Sequence, residues 1–77
     1  MAAENKILLK FGARLKKLRQ ERGLSQRELS QNCAIDHSKI GKMERGLINP
    51  TLVTIVELAK GLNVHPSELL QFDLTSK

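Results

Sequence analysis

Apolar residues recur along this chain at the three- and four-residue intervals of helices, and nowhere alternate long enough for a strand. Leu8, Phe11, Leu15 and Leu18 mark one face of a first helix from about Asn5 to Arg22, with Arg14, Lys17 and Glu21 outside it and Gly23 closing it. Ser25 opens a second helix. In "SQRE" the Ser25 hydroxyl takes a backbone donor while Glu28 reaches back, a reciprocal cap. Leu29 faces inward, and the helix ends near Asn32 or Cys33. The turn "CAI" leads to Asp36, which caps a third helix that ends at Gly46. Pro50 closes the following loop, and Thr51 caps a fourth helix, Leu52 to Lys60, with Leu52, Ile55, Leu58 and Ala59 inward and Gly61 as its end. A fifth starts at Pro66, a residue suited to the first helical position, and carries Leu69 and Leu70. The expected fold is all-α with five helices in a single domain over residues 1–77, residues 1–4 and 74–77 being flexible.

The second and third helices are short, amphipathic and joined by about three residues, the arithmetic of a helix-turn-helix. On a wheel of about 100° per residue, Ile40 and Met43 point one way, while Ser38, Gly41, Lys42 and Arg45 point the other, flanked by His37 and Lys39. That outer face is short-chained, donor-rich and positive. A DNA major groove accepts such a helix and offers base acceptors to Lys, Arg, Ser and His. Gly41 removes a side chain where another backbone could come close. The same pattern also suits a solvated face of a small helical bundle.

Composition changes the picture in two respects. The chain has 77 residues and a net charge of +5. Residues 1–45 hold 11 Lys and Arg against 5 acids, and residues 46–77 hold 2 against 3. A basic half suggests a polyanionic partner, nucleic acid or an anionic membrane. The first helix places Lys10, Arg14, Lys17 and Arg22 on its outer face, but its apolar stripe is needed for the core, which argues against membrane binding. Tyr and Trp are absent, so a stacking platform for single strands is not expected. One cysteine, Cys33, excludes an internal disulfide and fits a reducing cytoplasm. No apolar run nears the ~20 residues of a membrane span, and no signal peptide is visible. Cys33, His37 and His65 are too few for structural zinc, which wants four ligands. No nucleophile motif, acid pair or phosphate-cradling loop is present. The chain is therefore read as a non-enzyme without cofactor or metal.

Residues 24–46, "LSQRELSQNCAIDHSKIGKMERG", resemble the Cro and phage-repressor type helix-turn-helix family, also called the xenobiotic-response-element family. The likeness extends through "FGARLKKLRQERG" upstream and "NPTLVTIVELAKGLNVHPSELL" downstream, roughly Phe11 to Leu70. It implies a lambda-repressor-like domain that binds double-stranded operator DNA, usually as a homodimer. By position, His37, Ser38 and Lys42 would reach bases. Gln26, Lys39, Arg45 and Asn49 would contact phosphates, with Arg27 a weaker candidate. Arg19 and Glu44 would form a buried ion pair tying the first helix to the third. The tail holds Leu69, Leu70, Phe72 and Leu74, more apolar surface than a chain end needs. A dimer interface would bury Leu70, Phe72 and Leu74, since the family often pairs there, or all four complete the monomer core. Ile7 and Leu9 near the start offer a second contact surface.

Two departures bear on the reading face. Ala34 stands where the family's turn usually has glycine, and would cost about 1 kcal/mol if that position needed a positive φ. Gly41 stands where serine is frequent. The function expected is a cytoplasmic, nucleoid-associated transcriptional regulator reading an inverted repeat. The alternative is a protein-interaction module or antitoxin-like partner for which DNA is secondary.

Overall fold

The apolar stripe of the first segment becomes a 20-residue helix, α1 (Ala2–Glu21). It is followed by α2 (Gln26–Asn32), α3 (His37–Glu44), α4 (Leu52–Leu62) and a short 3-10 helix, Pro66–Leu70. The computed structural model describes the backbone of residues 2–74 and the side chains of residues 6–74, and no strand occurs among them. Met1 and residues 75–77, expected to be loose ends, lie outside the described residues; α1 starts at Ala2.

Each of the helices α2, α3 and α4 starts on the residue that its side-chain chemistry favours. Ser25 Oγ accepts from the Glu28 backbone N–H at 3.0 Å, and Glu28 Oε1 accepts from the Ser25 N–H at 2.8 Å. Asp36 accepts from the Ser38 N–H at 3.0 Å, and Thr51 from the Thr54 N–H at 3.1 Å. Three helix ends share one device. A residue with positive φ (Gly23, Gly46, Asn63) is followed by an apolar residue whose N–H reaches back to the last turn. These bonds run from Leu24 to Arg19 O, from Leu47 to Lys42 O and from Val64 to Ala59 O. Leu24 and Val64 then pack on the core, whereas Leu47 remains 65% exposed.

The structure corrects the sequence reading on three points. The fourth helix runs through Gly61 to Leu62, because Asn63 (φ 58°) takes the left-handed position that would stop it. Gly61 instead permits close approach to α2: a Cβ there would lie 2.9 Å from Leu29 Cδ1. Leu52, expected inward, is 73% exposed, as is its neighbour Val53 at 70%. The covered stripe of α4 begins one turn later, since α2 and the 3-10 helix pack against the rest of α4. The expected fifth α-helix is five residues of 3-10 helix, held by Glu68 N–H to His65 O at 2.9 Å. A segment this short offers too few hydrogen bonds to nucleate an α-helix.

Phe11, Leu15 and Leu18 from α1 meet Leu29, Ile40, Met43, Leu58, Leu62 and Leu69 in one core. Gly12 is what brings α1 against the end of α3: a Cβ there would lie 2.4 Å from Met43 O and 2.6 Å from Glu44 O. The cations of α1 are not simply a solvated face. Arg14 Nε donates to Glu68 O at 2.7 Å, Arg22 Nη2 to Asn63 O at 3.4 Å and Lys10 Nζ to Asp73 O, strapping the C-terminal segment onto α1. No described helix is long and apolar enough to cross a membrane.

Candidate nucleic-acid interface

Ile40 and Met43 are fully buried, and this pins the rotation of α3. Ser38, Lys39, Lys42 and Arg45 are left exposed and His37 half-buried, so these five expected contact residues are brought to one helix and its C-cap. Asn49 is exposed in the loop after α3, and Arg27 is exposed on the first turn of α2. Gly41 does not share the exposed face. It is buried, against the expectation, and the side chain of Gln26 covers it. Helix rotation set by Ile40 and Met43 carries residue 41 to the α2 side.

Asp36 stands at the start of the α3 face. Its carboxylate accepts both the backbone N–H and the hydroxyl of Ser38, and these bonds hold its pKa below the ordinary value. His37 contributes a weaker attraction, its Nδ1 lying 3.9 Å from Asp36 Oδ1. The Ser38 hydroxyl thus spends its hydrogen on Asp36 and has lone pairs left to accept. The three-residue turn contains no positive φ: the only described non-glycine residue with one is Asn63. Ala34 is therefore accommodated without left-handed strain. Cys33 packs half-buried on the core, its Sγ donating to Leu29 O at 3.3 Å, and burial pushes the thiol pKa up.

Beneath the face lies a polar network. Arg19 Nε meets Glu44 Oε2 at 2.6 Å and Arg19 Nη2 meets Glu44 Oε1 at 3.0 Å, a two-pronged pair with side chains 10% and 3% exposed. Arg19 Nη1 also donates to Leu24 O at 2.8 Å. Its hydrogen bond to Glu44 raises the guanidinium pKa, against the opposing cost of burial. The amide of Gln26 completes the network by donating from Nε2 to Glu44 Oε1 at 3.0 Å. Sequence reasoning missed this third member. The available signal was the pairing of a glutamine at the head of α2 with a bare glycine on α3. It also missed Gly12, whose signal was a glycine beside Phe11 on an otherwise strong helix.

The expected interface residues at the chain's end are divided. Phe72 is half-buried against the core, while Leu70 and Leu74 are 51% and 72% exposed. Ile7 and Leu9 are 50% and 53% exposed. Further exposed apolar residues were not foreseen: Leu47 follows the end of α3, Leu52 and Val53 open α4, and Val53 lines a groove together with Lys39 and Glu57.

Comparison with known proteins finds relatives over most of the chain. A family model described as a helix-turn-helix domain covers residues 10–72. The control protein C.BamHI of Bacillus amyloliquefaciens is 35% identical over 69 residues, which span 88% of this chain and 85% of that protein. The crystal structure of the restriction-modification controller protein C.AhdI from Aeromonas hydrophila is similar with a TM-score of 0.78 and 47% identity, over 80% of this chain and 94% of that one. A tetramer of the controller protein C.Esp1396I in complex with its natural 35 base-pair operator is similar with a TM-score of 0.73 and 29% identity, over 84% of this chain and 96% of that one. With a pinned third helix, a polar network behind it and these relatives, the chain belongs to the helix-turn-helix domain family of transcriptional regulators.

Proposed function

We propose that this protein is a homodimeric transcriptional regulator that reads an inverted-repeat operator by laying α3 in the major groove. The carrying observation is the exposed row Ser38, Lys39, Lys42 and Arg45 on a helix whose other side is locked by Ile40 and Met43. His37, Ser38 and Lys42 read base edges; Gln26, Arg27, Lys39, Arg45 and Asn49 hold the phosphate backbone. Two copies set half-sites about one helical turn (~34 Å) apart. The likeness to restriction-modification controllers, one of them bound to its operator, supports regulation of such an operon. The protein acts in the cytoplasm, on nucleoid DNA, as a single-domain lambda-repressor-like unit, and has no catalytic role.

Selection from random-sequence duplex DNA at near-physiological salt tests this reading. Enrichment of an inverted repeat is expected, and Lys42→Glu with Arg45→Glu should abolish its binding without unfolding the domain. Retention that enriches no sequence and vanishes as salt rises would reduce the interaction to charge alone and put a protein partner first.

A further inference from the structure

A glycine on a reading helix suggests that DNA comes close to the bare backbone. The position of Gly41 argues otherwise. It is buried, and a Cβ built on it would lie 3.1 Å from Gln26 Oε1, 3.5 Å from Nε2 and 3.6 Å from Cδ. The amide of Gln26 therefore lies across the space that a side chain at residue 41 would take. The same amide donates from Nε2 to Glu44 Oε1 at 3.0 Å. Glu44 cannot follow a displaced amide, because Arg19 holds both its oxygens, at 2.6 and 3.0 Å. Arg19 also neutralises the carboxylate, so an approaching phosphate meets no unpaired negative charge behind the amide. Nε2 carries a second hydrogen beyond the one given to Glu44, and Gln26 is only half-buried.

We propose that Gly41 is a positioning residue that acts through Gln26: it leaves the room in which Glu44 fixes the amide, so that the second N–H meets a phosphate oxygen of the operator. This rests on the DNA-reading function above. It assigns to Gly41 no contact with DNA. A methyl group at residue 41 moves the amide by a few tenths of an ångström, loosens its bond to Glu44 and misdirects its free hydrogen. The same methyl favours the helix itself, so a binding defect is separable from a folding defect.

The experiment is a double-mutant cycle on the inverted repeat enriched by selection, with parent, Gly41→Ala, Gln26→Ala and the double variant, each checked by thermal melting. Gly41→Ala should weaken operator binding on the order of tenfold, the worth of one hydrogen bond to a charged acceptor, while melting no lower than the parent. In the Gln26→Ala background it should cost nothing further. A parent that binds, with Gly41→Ala costing the same in both backgrounds, overturns the inference alone, since Gly41 then acts independently of Gln26. Gly41→Ala binding as tightly as the parent overturns it too. A parent that enriches no duplex overturns the DNA-reading function and this inference with it.

Discussion

Two polar residues decide how α1 and α3 meet. Arg19 and Glu44 are both nearly enclosed and share two hydrogen bonds, and Gln26 leans on the same carboxylate. Removing one partner leaves a buried charge without its counter-ion, so Arg19→Ala or Glu44→Ala should each destabilise the fold by about 3–5 kcal/mol, measured by urea denaturation. Arg19→Lys should rescue little, since an ammonium cannot make the two-pronged contact. Asp36 gives a prediction of opposite kind. Ser38 hydrogen bonds lower its pKa from 3.8, so the cap's contribution is fully present above the unfolded value and is lost as pH falls through the lower folded one. An NMR titration of the Asp36 side-chain carboxyl carbon should show a midpoint below 3.8 in the parent, moving upward in Ser38→Ala.

Among elements, the crossing of α1 over α3 depends on a missing side chain. Backbone oxygens of Met43 and Glu44 occupy the space of a Gly12 Cβ, and neither can swing away as a flexible side chain would. Gly12→Ala improves helix propensity by about 1 kcal/mol, yet the forced separation should leave a net loss of about 2–3 kcal/mol. Urea denaturation reads that loss, and operator affinity should fall with it because α3 shifts. The helix starts were legible in sequence, since Ser25, Asp36 and Thr51 cap through their own side chains. The depth of α4 was not. Leu52 continues the helical spacing of Ile55 and Leu58, but periodicity fixes only a direction around the axis, and what covers each turn is a tertiary matter.

For the whole molecule, the charge asymmetry and the exposed apolar residues bear on assembly. Leu47 after α3 and Leu52 and Val53 at the start of α4 are 65%, 73% and 70% exposed. Exposed apolar residues clustered on the surface of a small domain are the chemistry of a subunit contact. Leu52→Asp combined with Val53→Asp should therefore leave the melting transition of the domain intact, convert a dimer to monomers in sedimentation and cost most of the operator affinity. Leu70→Asp, on the C-terminal segment strapped to α1, measures the share of the interface first expected there. Sedimentation unchanged in the Leu52 and Val53 variant but altered in Leu70→Asp would place the pairing at the C-terminal segment.

The sequence by itself determined the all-helical class, the three side-chain caps, the glycine stops at Gly23 and Gly46 and the basic residues of the third helix. All follow from local chemistry and from spacing within one element. Only the tertiary structure decided that Gly41 lies under Gln26, that Gly12 seats the end of α3, that Arg14 holds a carbonyl 54 residues away, and that Leu52 stays outside. These depend on what a second element places opposite the residue, and no pattern within a single helix carries that information.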